Sequence, residues 1–104
     1  MASAIRVDRD RVAQFCRKWK IAELSLFGSV LRPDFKAESD VDVLVRFAPD
    51  ADVGLLDHVA MQEELSAILG RPVDLVSRRA VERSRNRIRR EAILSRAEPI
   101  YGAR

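Results

Sequence analysis

A chain of 104 residues with 47% hydrophobic and 34% charged side chains has the size and balance of one globular domain, residues 1–104, and excludes a disordered chain. No apolar run approaches the roughly 18 residues of a membrane span, and no apolar stretch of a secretory signal opens the chain, so a cytoplasmic protein is expected. A single Cys16 and a single His58 exclude disulfides, cysteine zinc sites, Ser-His triads and multi-histidine metal sites. The net charge of +3 hides an acidic middle: residues 34–74 carry ten acidic and three basic groups, between basic flanks. That division suits a central cation site near an anionic ligand and argues against a uniform nucleic-acid coat.

Val12, Phe15, Cys16 and Trp19 recur at helical spacing and predict an amphipathic helix over about residues 9–20, entered from Asp8 or Asp10. Ile21 to Phe27 reads as a strand, punctuated by Gly28-Ser29. A short helix is expected from Ser29 to Arg32, limited by Pro33, and then a polar loop over 34–39. Val41, Val43, Val45 and Phe47 alternate with Asp40, Asp42, Leu44 and Arg46, the clearest strand pattern in the chain. After a turn from Pro49 to Asp52, residues 53–69 read as a helix with Met61, Leu65, Ile68 and Leu69 on one side and Gly70 as its cap. Val73 to Val76 forms a short strand. A long basic helix is expected over about 79–96, with Val81, Ser84, Ile88 and Ala92 on its leaner face, before an edge strand at Pro99-Ile100-Tyr101. The sum is an α/β fold: three to four strands in one small sheet, with helices packed mainly on one face.

Asp-x-Asp occurs three times, and with nine Asp in 104 residues roughly one copy arises by chance. Context separates the copies. Asp8 and Asp10 stand at a helix start, where carboxylates cap free amides, and Asp50 and Asp52 flank a turn. Asp40 and Asp42 instead open an apolar strand, where Asp is disfavoured. Residues i and i+2 of a strand share a face, and two carboxylates held there repel each other unless a cation intervenes. Asp74 is a third carboxylate inside a short apolar strand. If the two strands pair, the three converge, and two divalent ions could be held between them. Gly28-Ser29 before a helix start offers backbone amides and a hydroxyl to a phosphate. P-loop, Rossmann and Gly-x-Ser-x-Gly patterns are absent.

Phe27-Gly28-Ser29, a ten-residue gap, Asp40-Val41-Asp42-Val43-Leu44-Val45 and then Val73-Asp74-Leu75 together resemble the signature of the DNA polymerase β-like nucleotidyltransferase superfamily. Ser39 to Val45, with Ile88, Glu91-Ala92 and Pro99-Ile100-Tyr101, resembles its minimal (MNT-type) subgroup. The likeness covers about residues 10–101. It implies the polymerase β-like fold, with a small mixed sheet. It also implies magnesium at a two-ion site on Asp40, Asp42 and Asp74, which act as the catalytic carboxylates, with Asp74 also helping to deprotonate the acceptor. Gly28 and Ser29 would hold the triphosphate of ATP, and Arg32 would reach its phosphates. Pro33 departs from the glycine usual after that Arg; its φ is fixed near −65°, so the turn either differs there or never needed a glycine's positive φ.

The resemblance further implies transfer of AMP from ATP to a hydroxyl, a tyrosine of a HEPN-domain toxin, with this chain as the antitoxin and the two forming a hetero-oligomer. Two other readings stand beside it: an antitoxin that neutralises its partner by binding alone, and a small-molecule nucleotidyltransferase. The three carboxylates argue against the first, since binding alone needs none of them. The acidic middle and few exposed aromatic candidates argue against a nucleic-acid partner. The Arg-rich C-terminal segment is either a solvated face or a surface for the partner.

Overall fold

The structure is a computed structural model and describes residues 7–28 and 40–102. Helix α1 (Arg9–Lys18) starts at Asp8, whose carboxylate accepts a hydrogen bond from the Arg11 amide at 3.2 Å. That satisfies one of the amides every helix start leaves open. Trp19 caps its end, and Lys20, at φ 56°, turns the chain into strand β1 (Ile21–Phe27). Strand β2 (Val41–Phe47) follows, then helix α2 (Leu55–Leu69), which Gly70 closes with φ 71°. The start of α2 lies two residues beyond the sequence expectation because Gly54 takes the cap position, its amide held by Asp57 Oδ2 at 3.1 Å. Strand β3 (Val73–Ser77) and strand β4 (Glu98–Tyr101) complete one sheet of order β3-β2-β1-β4. β1 runs antiparallel to β2 and β4, and β3 runs parallel to β2. A parallel pair needs a long crossover, and α2 supplies it.

The long C-terminal helix expected from the sequence is two helices, α3 (Arg78–Glu82) and α4 (Arg87–Arg96). The reason lies in residues 84–86. Asn86 Oδ1 accepts from the Arg89 amide at 3.0 Å, and the Asn86 amide donates to Ser84 Oγ at 3.2 Å. Ser and Asn offer the backbone local partners that compete with a continuous helix. The break also shifts the buried face. Ile93 is buried with Val81, whereas Ile88, expected on the same face as Val81, is 83% exposed.

Strand alternation divides the side chains between two faces. On one face Leu24, Leu26, Val41, Val43, Val45, Val73 and Leu75 pack against Val12, Phe15 and Cys16 of α1 and Met61, Leu65 and Leu69 of α2. This is the main core. Burial there pushes the Cys16 thiol up to about 12, so it behaves as an apolar side chain. Lys18 and the Trp19 ring nitrogen both donate to Glu64, at 3.0 and 3.1 Å, and tie α1 to α2. On the other face Phe27 and Leu44 meet Val81 of α3 and Ile93 of α4 in a smaller cluster. Arg46 and Arg78 both reach Glu23, each at 3.1 Å, and fasten the start of α3 to the sheet. Among the described residues no helix is long and apolar enough to cross a membrane.

Candidate functional site

The parallel register sets Val41 against Val73, Asp42 against Asp74 and Val43 against Leu75. Adjacent strands lie about 4.8 Å apart, so the two aspartates are next-door neighbours. Val41, Val43, Val73 and Leu75 all point into the main core. By alternation Asp42 and Asp74 point to the opposite face, the one that carries Leu44 and Phe27. Asp42 is half-buried and Asp74 exposed. Both belong to the N-terminal ends of their strands, and these ends are joined where the Val41 amide donates to the Pro72 carbonyl at 2.8 Å.

Gly28 stands on the other flank of Asp42, since Phe27 is in register with Asp42 across the antiparallel β1–β2 pair. Its φ is +76°, and a Cβ built there would collide with a carboxylate oxygen of Asp42 and lie 3.2 Å from its Cγ. Glycine is required twice, for the backbone angle and for the space. The backbone at Gly28 thus reaches the carboxylate that the motif pairs it with.

Asp40 is exposed and stands one residue ahead of β2. Among the described residues no group of three or more His, Cys, Asp or Glu side chains is gathered closely enough to hold a metal ion. The structure therefore brings Asp42 and Asp74 together, and does not gather Asp40 with them into one preformed cluster. The donor set still suits magnesium, a hard cation usually held by one or two carboxylates with substrate phosphates and water completing its shell. Ser29, Arg32 and Pro33, with the expected short helix and polar loop, lie outside the described residues.

The other Asp-x-Asp pairs have the structural places expected of them. Asp8 caps α1, Asp10 lies in its first turn, and Asp50 pairs with Lys20 at 3.3 Å on the surface. An open cleft of about 830 Å³ lies at the opposite ends of β2 and β3, lined by Arg46, Phe47, Leu55, His58, Ser77 and Arg78 among others. None of the three candidate carboxylates lines it. Sequence reading overlooks three residues on one stripe of α2, His58, Gln62 and Ser66. All three hydrogen-bond the backbone beside Asp74. Their four-residue spacing along α2 was the available signal.

Fold and site together define a small α/β domain with a mixed sheet that presents adjacent aspartates beside a glycine turn. Residues 10–97 match the family model described as the nucleotidyltransferase domain, and this chain belongs to that family. Among its relatives is the protein adenylyltransferase MntA of Thermococcus cleftensis, 37% identical over 65 residues, which are 62% of this chain and 64% of that protein. The chain thus spans just under two thirds of that relative. A protein of Methanocaldococcus jannaschii described as a protein adenylyltransferase is 35% identical over 77 residues, 73% of this chain and 81% of its own length.

A solved structure described as a minimal nucleotidyltransferase superposes with a TM-score of 0.66 at 35% identity, over 88% of this chain and 87% of the other. A chain of a toxin–antitoxin crystal structure with AMP-PNP gives 0.69 at 20% identity, over 94% and 76%. A chain from the complex of the tri-AMPylated HEPN toxin of Shewanella oneidensis with MNT antitoxin gives 0.58 at 20% identity, over 91% and 70%. At 20% identity these last two speak for the fold alone.

Proposed function

We propose that this chain is a magnesium-dependent protein adenylyltransferase that moves AMP from ATP to a tyrosine hydroxyl of a HEPN-type toxin, and so acts as the cytoplasmic antitoxin of that pair. The observation that carries the reading is the register of Asp42 against Asp74 with Gly28 closed onto Asp42. Two carboxylates side by side repel each other, and a divalent cation between them relieves that repulsion. Support also comes from relatives named as protein adenylyltransferases, and the fold is shared with a chain from a complex of a tri-AMPylated HEPN toxin with MNT antitoxin.

In this reading Asp40, Asp42 and Asp74 hold magnesium at a two-ion site. When bound, the metal neutralises phosphate charge and polarises the attacked phosphorus. Gly28 and Ser29 bind the triphosphate, and Arg32 contacts its phosphates. The acceptor oxygen forms a bond to the α-phosphorus, the bond to the bridging oxygen breaks, and pyrophosphate departs with that electron pair. Asp74 takes the hydroxyl proton. The backbone at Gly28 lets the triphosphate approach a carboxylate edge that any other side chain would obstruct.

Calorimetry tests the site. ATP should bind the full chain only with magnesium present, and Asp40→Asn with Asp42→Asn should weaken that binding at least tenfold, in line with loss of metal ligands. Equal affinity in the wild-type and doubly substituted chains would sink the reading. Magnesium-dependent binding without transfer to a HEPN toxin would leave an antitoxin that works by binding alone.

A further inference from the structure

Among the described residues β3 is the edge of the sheet: β2 pairs with one side of it, and no described strand pairs with the other. Helix α2 supplies what a neighbouring strand would. His58, Gln62 and Ser66 stand four residues apart and form one stripe along the helix. The Leu75 amide donates to Gln62 Oε1 at 2.9 Å, and the Val73 amide donates to Ser66 Oγ at 3.0 Å. His58 Nε2 lies 2.9 Å from the Leu75 carbonyl oxygen, to which it donates. The Ser66 hydroxyl proton is committed to the Gln62 carbonyl at 2.7 Å, which leaves its lone pair for Val73.

A polar row over a sheet edge protects it from pairing with other chains. The placement here does more. All three bonds fall on Val73 and Leu75, the neighbours of Asp74 on either side. Asp74 itself is exposed, so packing of its own side chain does not hold it, and its place depends on the backbone. We propose that Gln62 and Ser66, aided by His58, are positioning residues that fix Asp74 opposite Asp42. This rests on reading Asp74 as a working carboxylate. The magnitude at stake is large, because about 1 Å of misplacement at a reacting group can cost a hundredfold in rate.

The experiment compares Gln62→Leu, which removes the acceptor, with Gln62→Glu, which keeps it, and adds Ser66→Ala as the mildest deletion. AMP transfer to a HEPN toxin is measured for each full-length variant, with amide exchange at Val73 and Leu75 followed in the same samples. Gln62→Leu and Ser66→Ala should lower kcat roughly ten- to a hundredfold, the range seen when supporting partners of a metal site are lost. KM for ATP should stay within about twofold, exchange at the bonded amide should quicken, and Gln62→Glu should restore both rates. Faster exchange with unchanged kcat in the folded variants would reduce the row to edge protection and overturn the proposal. If Gln62→Leu does not fold, Ser66→Ala decides alone. Asp74→Asn separates the two failures. Wild-type transfer by that variant defeats the reading of the site, whereas its loss alongside active Gln62→Leu and Ser66→Ala defeats only the positioning.

Discussion

Gly28 bears the most on the site for its size. Any Cβ there would drive the Asp42 carboxylate from its place, and φ of +76° costs a non-glycine residue roughly 1–2 kcal/mol. Gly28→Ala should therefore lower stability by about that amount, read by denaturant unfolding, and at the same time abolish magnesium-dependent ATP binding. A variant that loses stability yet binds ATP normally would separate Gly28 from the nucleotide site. Two other residues owe their state to their surroundings rather than to function. Burial raises Cys16 to about 12, which leaves it neutral and unreactive near neutral pH. Glu64 feels burial, which raises its pKa, but the bonds from Lys18 and Trp19 outweigh it and the net shift is downward. The sign makes this pair of bonds a stabilising contribution present above the ordinary glutamate pKa and lost as pH falls through the lowered one.

At the scale of elements, the split between α3 and α4 depends on one cap. Replacing an Asn cap by Ala typically costs about 1 kcal/mol, so Asn86→Ala should destabilise the chain by that order in urea unfolding. No change in the unfolding midpoint would mean that the break is held by something other than the cap. The same segment marks where sequence reading fell short. Helical periodicity spans residues 79–96 well enough to suggest one helix, because Ser84 and Asn86 interrupt it without a glycine or proline. Their side chains can stop a helix by capping the next one, a signal available at Asn86 but masked by the run of arginines. Elements with strict alternation or a clear cap were legible: β1 and β2 from their apolar spacing, the start of α1 from Asp8 and the end of α2 from Gly70. The pairing of β3 beside β2 was foreseen only conditionally. Its place depends on the length of α2 and on side-chain bonds from Gln62 and Ser66 to backbone amides, partners that a hydrophobic pattern does not name.

At the scale of the whole molecule, the two faces of the sheet divide the labour. One carries the main core under α1 and α2, and the other combines a smaller cluster under α3 and α4 with the paired aspartates at one end of the strands. The acidic middle of the chain supplies those aspartates, and the basic C-terminal segment forms helices on the same side of the sheet. The charge asymmetry visible in the sequence thus becomes a spatial one, with arginine-bearing helices on the face that presents the carboxylates. The candidate site was legible as residue types and spacing, since Asp is disfavoured in an apolar strand. It was not legible as a gathered cluster, because where Asp40 stands relative to Asp74 follows from tertiary placement. The central claim is that this face transfers a nucleotidyl group. The most direct measurement incubates the chain with magnesium, a purified HEPN toxin and ATP labelled at either the α- or the γ-phosphorus. The account predicts that the α-label becomes covalently attached to the toxin, that the γ-label leaves as pyrophosphate, and that Asp42→Asn ends the labelling. Attachment of the γ-label, or α-labelling that persists in Asp42→Asn, would contradict it.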